Sequence, residues 1–234
     1  ITAFERYLKE ACGLARNTAA KYLECFRKVL KVAQQKGWME HGKFLEELGQ
    51  LCVKEETYPS FLDWDELRTV METDMPARRL ERVKDVFVFC ALTGLSYQGI
   101  STLCPSHLFR DDEGTLWICR TRAEGAEVGD SCTSRVLLLK PAMVLLEKYK
   151  GWNPMNPEGP CFPVPSVQKM NEYLKEVSVL CRISKRLTTQ MARNTFAATV
   201  TLANRIPKEY VREMLGYSSD YMLRHYMQAQ ERNS

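Results

Sequence analysis

Residues 187–226 read LTTQMARNTFAATVTLANRIPKEYVREMLGYSSDYMLRHY, and their periodicity sets the C-terminal architecture. The spacing predicts a helix over 189–203, a stop across Asn204 to Pro207, a second helix from Pro207 to Leu215 and a terminator at Gly216. A third, short helical piece carries Tyr226. Two side chains stand apart from packing: Arg193 sits mid-helix after a polar start, and Tyr226 closes the basic string Arg224-His225-Tyr226. Between Val177 and Lys208 there are six basic residues (Arg182, Lys185, Arg186, Arg193, Arg205 and Lys208) and no acidic one. Such a block attracts an anion.

The chain as a whole is nearly charge-balanced, with 33 Lys and Arg against 29 Asp and Glu, so the basic block is a local feature. A pI near 8.5 permits nucleic acid without demanding it. Hydrophobic residues at 45% and charged residues at 26% fit a globular protein with one large or two modest domains. No apolar run approaches the ~20 residues of a membrane span, and no signal peptide is recognisable. The nine cysteines are scattered, odd in number and without a C-x-x-C pair. Reduced thiols, mostly buried as small hydrophobes, are expected rather than disulfides or zinc. With only His41, His107 and His225 available, a three-histidine metal site is unattractive, and no cofactor is expected. A chain that starts at Ile reads as a fragment of a longer protein.

Upstream, Ile1, Phe4, Leu8 and Cys12 follow helical spacing up to Gly13, and Asn17-Thr18 opens a second helix that ends at Gly37. Tyr22, Phe26, Val29, Leu30 and Ala33 are expected on its inner face. Arg16, Lys21, Arg27, Lys28, Lys31 and Lys36 against the single Glu24 make its outer face basic. The polar stretch 52–62 with Pro59 marks a boundary between a helical domain, 1–55, and a second domain, 60–234. Asp63-Trp64-Asp65-Glu66 has the pattern of a capping box, and a core helix runs from about Pro76 to Leu92 before Gly94. From Thr115 the period changes: Leu116 to Arg122 reads as a strand, Arg135 to Leu139 as its return. Five prolines over 153–165 mark a loop, and Ser166 caps a helix with Met170, Tyr173, Leu174 and Val177 inward. The fold class expected is mostly α with a small antiparallel β-sheet (α+β).

The order L-T-x-x-x-A-R-x-T-F-A, a short helix ending in Met214-Leu215-Gly216, and a tyrosine nine residues after Tyr217 resembles the catalytic domain of tyrosine recombinases, the phage integrase family. Within it the chain is most similar to integrases of Bacteroides-type mobile elements; Thr93-Gly94-Leu95 extends the likeness upstream, and more loosely it reaches residue 1. The resemblance implies a helical core-binding domain followed by the catalytic domain, gripping double-stranded DNA between basic faces, with no small-molecule cofactor and no membrane. It further implies a tetramer on paired DNA sites and a cytoplasmic, nucleoid-associated location. Tyr226 matches the nucleophile and Arg193 one of two family arginines. Gln190 stands where the family has His, Tyr217 where His or Trp is common, and Arg122 in the place of the hairpin lysine. Ser96 replaces the first arginine and Gly99 the acidic residue three positions on. DNA-backbone contacts are expected from Arg120, Lys185, Arg186, Arg16, Lys21, Arg27 and Lys28. Without the spacing match, Tyr226 reads as a half-buried helix tyrosine and Arg193 as a capping arginine. Two functions follow: a recombinase acting through a 3'-phosphotyrosine bond, or a DNA-binding relative that has lost catalysis.

Overall fold

A computed structural model describes residues 2–39, 44–53, 55, 58–120 and 134–233, and divides the chain into two units, Ile1–Thr57 and Tyr58–Ser234. Arg122, Cys132 and His41 lie outside the described residues.

In the first unit, α1 (Thr2–Arg6) runs into a π turn (Tyr7–Ala11), then come α2 (Arg16–Gln35) and α3 (Phe44–Leu51). Leu8, Ala19, Leu23 and Leu48 form its core, with Leu14, Leu30 and Leu51 packed around them. That corrects the expected inner face of α2: Tyr22, Phe26 and Val29 are exposed, at 56%, 40% and 64%. The buried residues of α2 are Ala19, Ala20 and Leu23, and of the expected face Leu30 packs, partly buried, against the same core. Helix α3 escaped the sequence reading.

The second unit is built on α5 (Arg78–Thr93), whose residues from Val83 to Thr93 are all buried. A helix buried all round needs neighbours on every side; α4 (Trp64–Glu72), α7 (Lys140–Lys148), α8 (Val167–Leu180) and α9 (Thr189–Thr195) supply them. Helix α4 opens with the capping box foreseen in the sequence: Asp63 accepts from the Glu66 N–H at 2.8 Å and Glu66 accepts from the Asp63 N–H at 2.9 Å. A three-stranded antiparallel sheet, β1 (Leu108–Arg110), β2 (Leu116–Arg120) and β3 (Ser134–Leu137), pairs Leu108 with Ile118 and Ile118 with Val136. The short helix α6 (Tyr97–Ser101) joins α5 to this sheet.

The long helix expected over 189–203 is three pieces. Helix α9 passes into a π-helical stretch, Phe196–Thr201, and a 3-10 turn, Leu202–Asn204, so the backbone register slips at the residues facing α11 (Tyr221–Asn233). Thr195 Oγ1 accepts from the Leu62 N–H at 3.0 Å and Thr199 donates to Leu62 O, stitching the entry segment of this unit to that stretch. Pro207 is the N-cap of α10 (Lys208–Leu215) rather than its first residue, and Gly216 ends it with φ +64°. Among the eight described cysteines, none of them in a disulfide, only Cys90 and Cys181 are buried, so the expectation of mostly buried thiols does not hold.

One polar cluster is braced inside this unit. Asp85, 3% exposed, accepts from the Tyr149 hydroxyl at 2.8 Å and pairs with Lys148 at 2.6 Å. Burial, then the bond to Asp85, raises the Tyr149 phenol above its ordinary value. Asp85→Ala strands a buried hydroxyl and frees Lys148 to Glu81 alone, so it costs about 2–3 kcal/mol and lowers Tm by about 5–10 °C, measurable by calorimetry.

Candidate active site and nucleic-acid interface

The site assembles where α5, α9, α10 and α11 converge. Thr188 caps α9 by accepting from the Met191 N–H at 3.1 Å, which sets the helical phase of Gln190, Arg193 and Asn194. Arg193, half-buried, reaches two helix ends: Nη1 donates to Gly94 O at 2.7 Å, the left-handed cap of α5, and Nη2 donates to Leu215 O, the last residue of α10. A guanidinium suits this position because helix C-termini present unpaired carbonyls and negative dipole ends. Its Nε points to the Tyr217 hydroxyl at 3.4 Å, and its plane lies over the Tyr217 ring at 5.0 Å. The field of Arg193 also reaches Cys90, whose thiol burial nevertheless pushes up to about 12.

Tyr226 is fully buried, at 0% exposed. Its hydroxyl donates to Asn194 Oδ1 at 3.0 Å and lies 3.3 Å from the Tyr217 hydroxyl. Asn194 Oδ1 also accepts from Gln190 Nε2 at 3.0 Å, while Asn194 Nδ2 donates to Ser60 O at 2.9 Å. Burial, then the Tyr217 hydroxyl, raises the Tyr226 phenol above its ordinary value, with Arg193 pulling the other way. Tyr226, Tyr217, Arg193 and Gln190 are thus joined in one network, and Asn194 is its unforeseen member. An available signal was the i, i+4 pair Gln190 and Asn194 flanking the basic side chain on one helix face.

Arg120 stands apart from that network. Its Nη2 donates to Thr102 Oγ1 at 2.8 Å, and its Nη1 occupies the space beside Gly99, 2.7 Å from where a Cβ would sit. Burial lowers its pKa, while Cys104 opposes that shift. Ser96 caps α6 by accepting from the Gly99 N–H at 3.1 Å, so the residue at the place of the family's first arginine serves the backbone here. Lys185 pairs with Glu66 at 2.5 Å, and Arg186 is exposed. On α2, Lys21 and Lys28 are exposed and Arg16 pairs with Glu55 at 2.5 Å. Arg27 turns inward instead: Nε donates to Leu45 O at 3.1 Å and the guanidinium rests on Gly49.

Residues 1–48 match the description of the phage integrase SAM-like domain. No curated protein sequence matches the chain. Among solved structures, the Tn1549 transposon integrase in complex with transposon right end DNA superposes with a TM-score of 0.73 at 15% identity, covering 98% of this chain and 82% of that one. The chain has the tyrosine recombinase fold. XerH recombinase bound to palindromic difH substrate gives a TM-score of 0.71 at 13% identity, covering 99% of this chain and 69% of that one. Lambda integrase as a dimer on a COC' core site gives 0.65 at 13% identity, over 96% and 77%. The mostly helical recombinase architecture with its small antiparallel sheet is therefore the one anticipated from the sequence. Among the described residues no helix is long and apolar enough to cross a membrane, and no cluster of His, Cys, Asp and Glu is able to hold a metal ion.

Proposed function

We propose that the protein is a site-specific DNA recombinase, the integrase of a Bacteroides-type mobile element, in which Tyr226 is the nucleophile. The observation that carries this reading is the single hydrogen-bonded network joining Tyr226, Tyr217 and Arg193 on a recombinase fold. The Tyr226 oxygen attacks a backbone phosphorus and releases its phenolic proton to solvent, a 3'-phosphotyrosine bond forms and the bond to the 5'-oxygen breaks, that oxygen taking up a proton from solvent, so the phosphodiester energy is conserved for rejoining. Arg193 supplies fixed positive charge for the transition state, and Tyr217 supplies a hydroxyl donor beside it. Arg120, in the room left by Gly99, is the second cation in this reading, replacing the arginine absent at Ser96. Arg122, outside the described residues, remains a candidate as a phosphate ligand rather than an acid because a guanidinium stays protonated. Gln190 donates to the phosphate in place of an imidazole but transfers no proton.

The unit 1–57 is proposed as the core-binding domain, with Arg16, Lys21 and Lys28 on backbone phosphates, and 58–234 as the catalytic domain, with Lys185 and Arg186 added. Strand exchange pairs two sites, so a tetramer assembled on DNA belongs to the proposal. Duplex affinity is expected to fall steeply and linearly on a log–log plot with added salt, because each phosphate contact releases counterions; a flat response in fluorescence anisotropy contradicts the binding mode. The decisive assay uses a nicked suicide substrate bearing the element's own crossover site. A covalent protein–DNA band on a denaturing gel supports the recombinase, whereas binding with no band leaves a DNA-binding relative without catalysis.

A further inference from the structure

We infer that Asn194 is the positioning residue that aims the Tyr226 hydroxyl, an inference that rests on the recombinase reading for its kinetic consequence but not for its geometry. Asn194 is a buried amide, 7% exposed, with every polar atom engaged. Its Nδ2 faces a carbonyl, Ser60 O, so the other end of the amide is an oxygen and an acceptor only. The Tyr226 hydroxyl, 3.0 Å from that oxygen, must therefore spend its one proton there. The neighbouring bond then has a direction: Tyr217 donates to Tyr226 across 3.3 Å, and Tyr217 in turn accepts from Arg193 Nε.

This polarity has a consequence for the nucleophile. A phenol has one proton and must turn a lone pair toward phosphorus to attack. Asn194 draws the proton to the side away from Tyr217 and Arg193, so the lone pairs face the guanidinium side, where an anionic phosphate is attracted. An arriving phosphate oxygen competes for the Tyr217 proton, which releases the Tyr226 lone pair it had covered. Gln190, bonded to the same oxygen, keeps the amide from turning.

Two variants separate this role from bracing of Ser60. Asn194→Leu removes both the acceptor and the Ser60 bond; Asn194→Asp removes the Ser60 bond but keeps an acceptor for Tyr226. The first expected result is a single-turnover adduct rate about 100-fold lower in Asn194→Leu, at unchanged duplex affinity, since misaiming a reacting group costs about that much. Asn194→Asp should recover most of the rate. Without DNA, the 13Cζ resonance of Tyr226, which reports whether the hydroxyl donates, should move in Asn194→Leu and stay in Asn194→Asp. Asn194→Ala takes the place of the leucine variant if that one fails to fold. Equal losses in the Leu and Asp proteins, or a 13Cζ resonance unmoved by leucine, overturn the inference. A wild type that forms no adduct refutes the recombinase reading, and the resonance still decides the positioning.

Discussion

Tyr226→Phe is expected to abolish the covalent DNA adduct of the proposed reaction while leaving duplex affinity and fold in place. The change removes one oxygen, the only atom of that side chain able to form the phosphotyrosine bond. Its structural cost is small, because the ring keeps its buried position and the Asn194 oxygen keeps its bond from Gln190. Losing a neutral hydrogen bond from a site that retains a second donor costs about 1 kcal/mol. The expected pattern is an adduct band lost on the gel, an unchanged anisotropy titration and Tm within about 4 °C. An adduct persisting in the phenylalanine protein transfers the nucleophile to another residue. A pH series adds an independent check. Burial raises the Tyr226 phenol in the folded chain, so its contribution to stability is complete below an unfolded value of about 10 and is lost as pH rises toward the raised one. Tyr149, raised by burial and by its bond to Asp85, has the same sign, as do the Cys90, Cys161 and Cys181 thiols that burial also raises. Stability above pH ~10 should therefore fall less steeply in Tyr226→Phe than in wild type.

Much of the fold was legible because the deciding residues act locally. Asp63 and Glu66 close a capping box within four residues, Gly94 and Gly216 end their helices in left-handed conformation, and 83–92 reads as a buried helix from its apolar content. What escaped was set by contacts distant in sequence. Strand β1 is three residues, too short for an alternation to register, and it exists through its register with β2. The π-helical stretch at Phe196–Thr201 is a slip in backbone bonding that leaves side-chain spacing almost unchanged. On α2 the aromatic residues suggested the inner face, whereas Ala19, Ala20 and Leu23 are the residues buried. For the site, Arg193 and Tyr226 come into one network because α11 packs on the π-helical continuation of α9. Arg27 reads like its basic neighbours in sequence, and only the approach of Leu45 and Gly49 draws it inward. Asn194 looked like an ordinary helix residue, since its partner carbonyl at Ser60 is 134 positions away.

Gly94→Ala should be the most destabilising single-methyl change in the second unit, and comparison with Gly216→Ala isolates the reason. Both glycines end a helix in left-handed conformation, φ +71° and +64°, so both variants bear the same backbone penalty of about 1–2 kcal/mol. Around Gly216 there is room, the nearest atom to an added Cβ being Ser134 Cβ at 3.7 Å. At Gly94 the methyl would meet Phe196 Cδ1 at 2.5 Å and Leu215 Cδ2 at 3.0 Å. Phe196 is 3% exposed and starts the π-helical stretch, so it has little freedom to withdraw. Overpacking of that kind adds about 1–3 kcal/mol, giving about 2–5 kcal/mol at Gly94 against about 1–2 at Gly216. Thermal unfolding should separate the two by several degrees, and equal Tm losses contradict the close approach. The carbonyl of Gly94 also accepts from Arg193 Nη1, so a cap pushed off Phe196 carries the guanidinium with it. Adduct formation should then fall in Gly94→Ala beyond what lost stability explains, when both variants are assayed well below their Tm. Gly216 adjoins Leu215, whose carbonyl holds the other arm of Arg193, but its methyl displaces nothing. The glycine in Thr93-Gly94-Leu95 thus serves packing and, in the proposed reaction, phosphate chemistry through one backbone position: it lets α5, α9 and α10 come close enough for a single arginine to tie two helix ends together beside Tyr226.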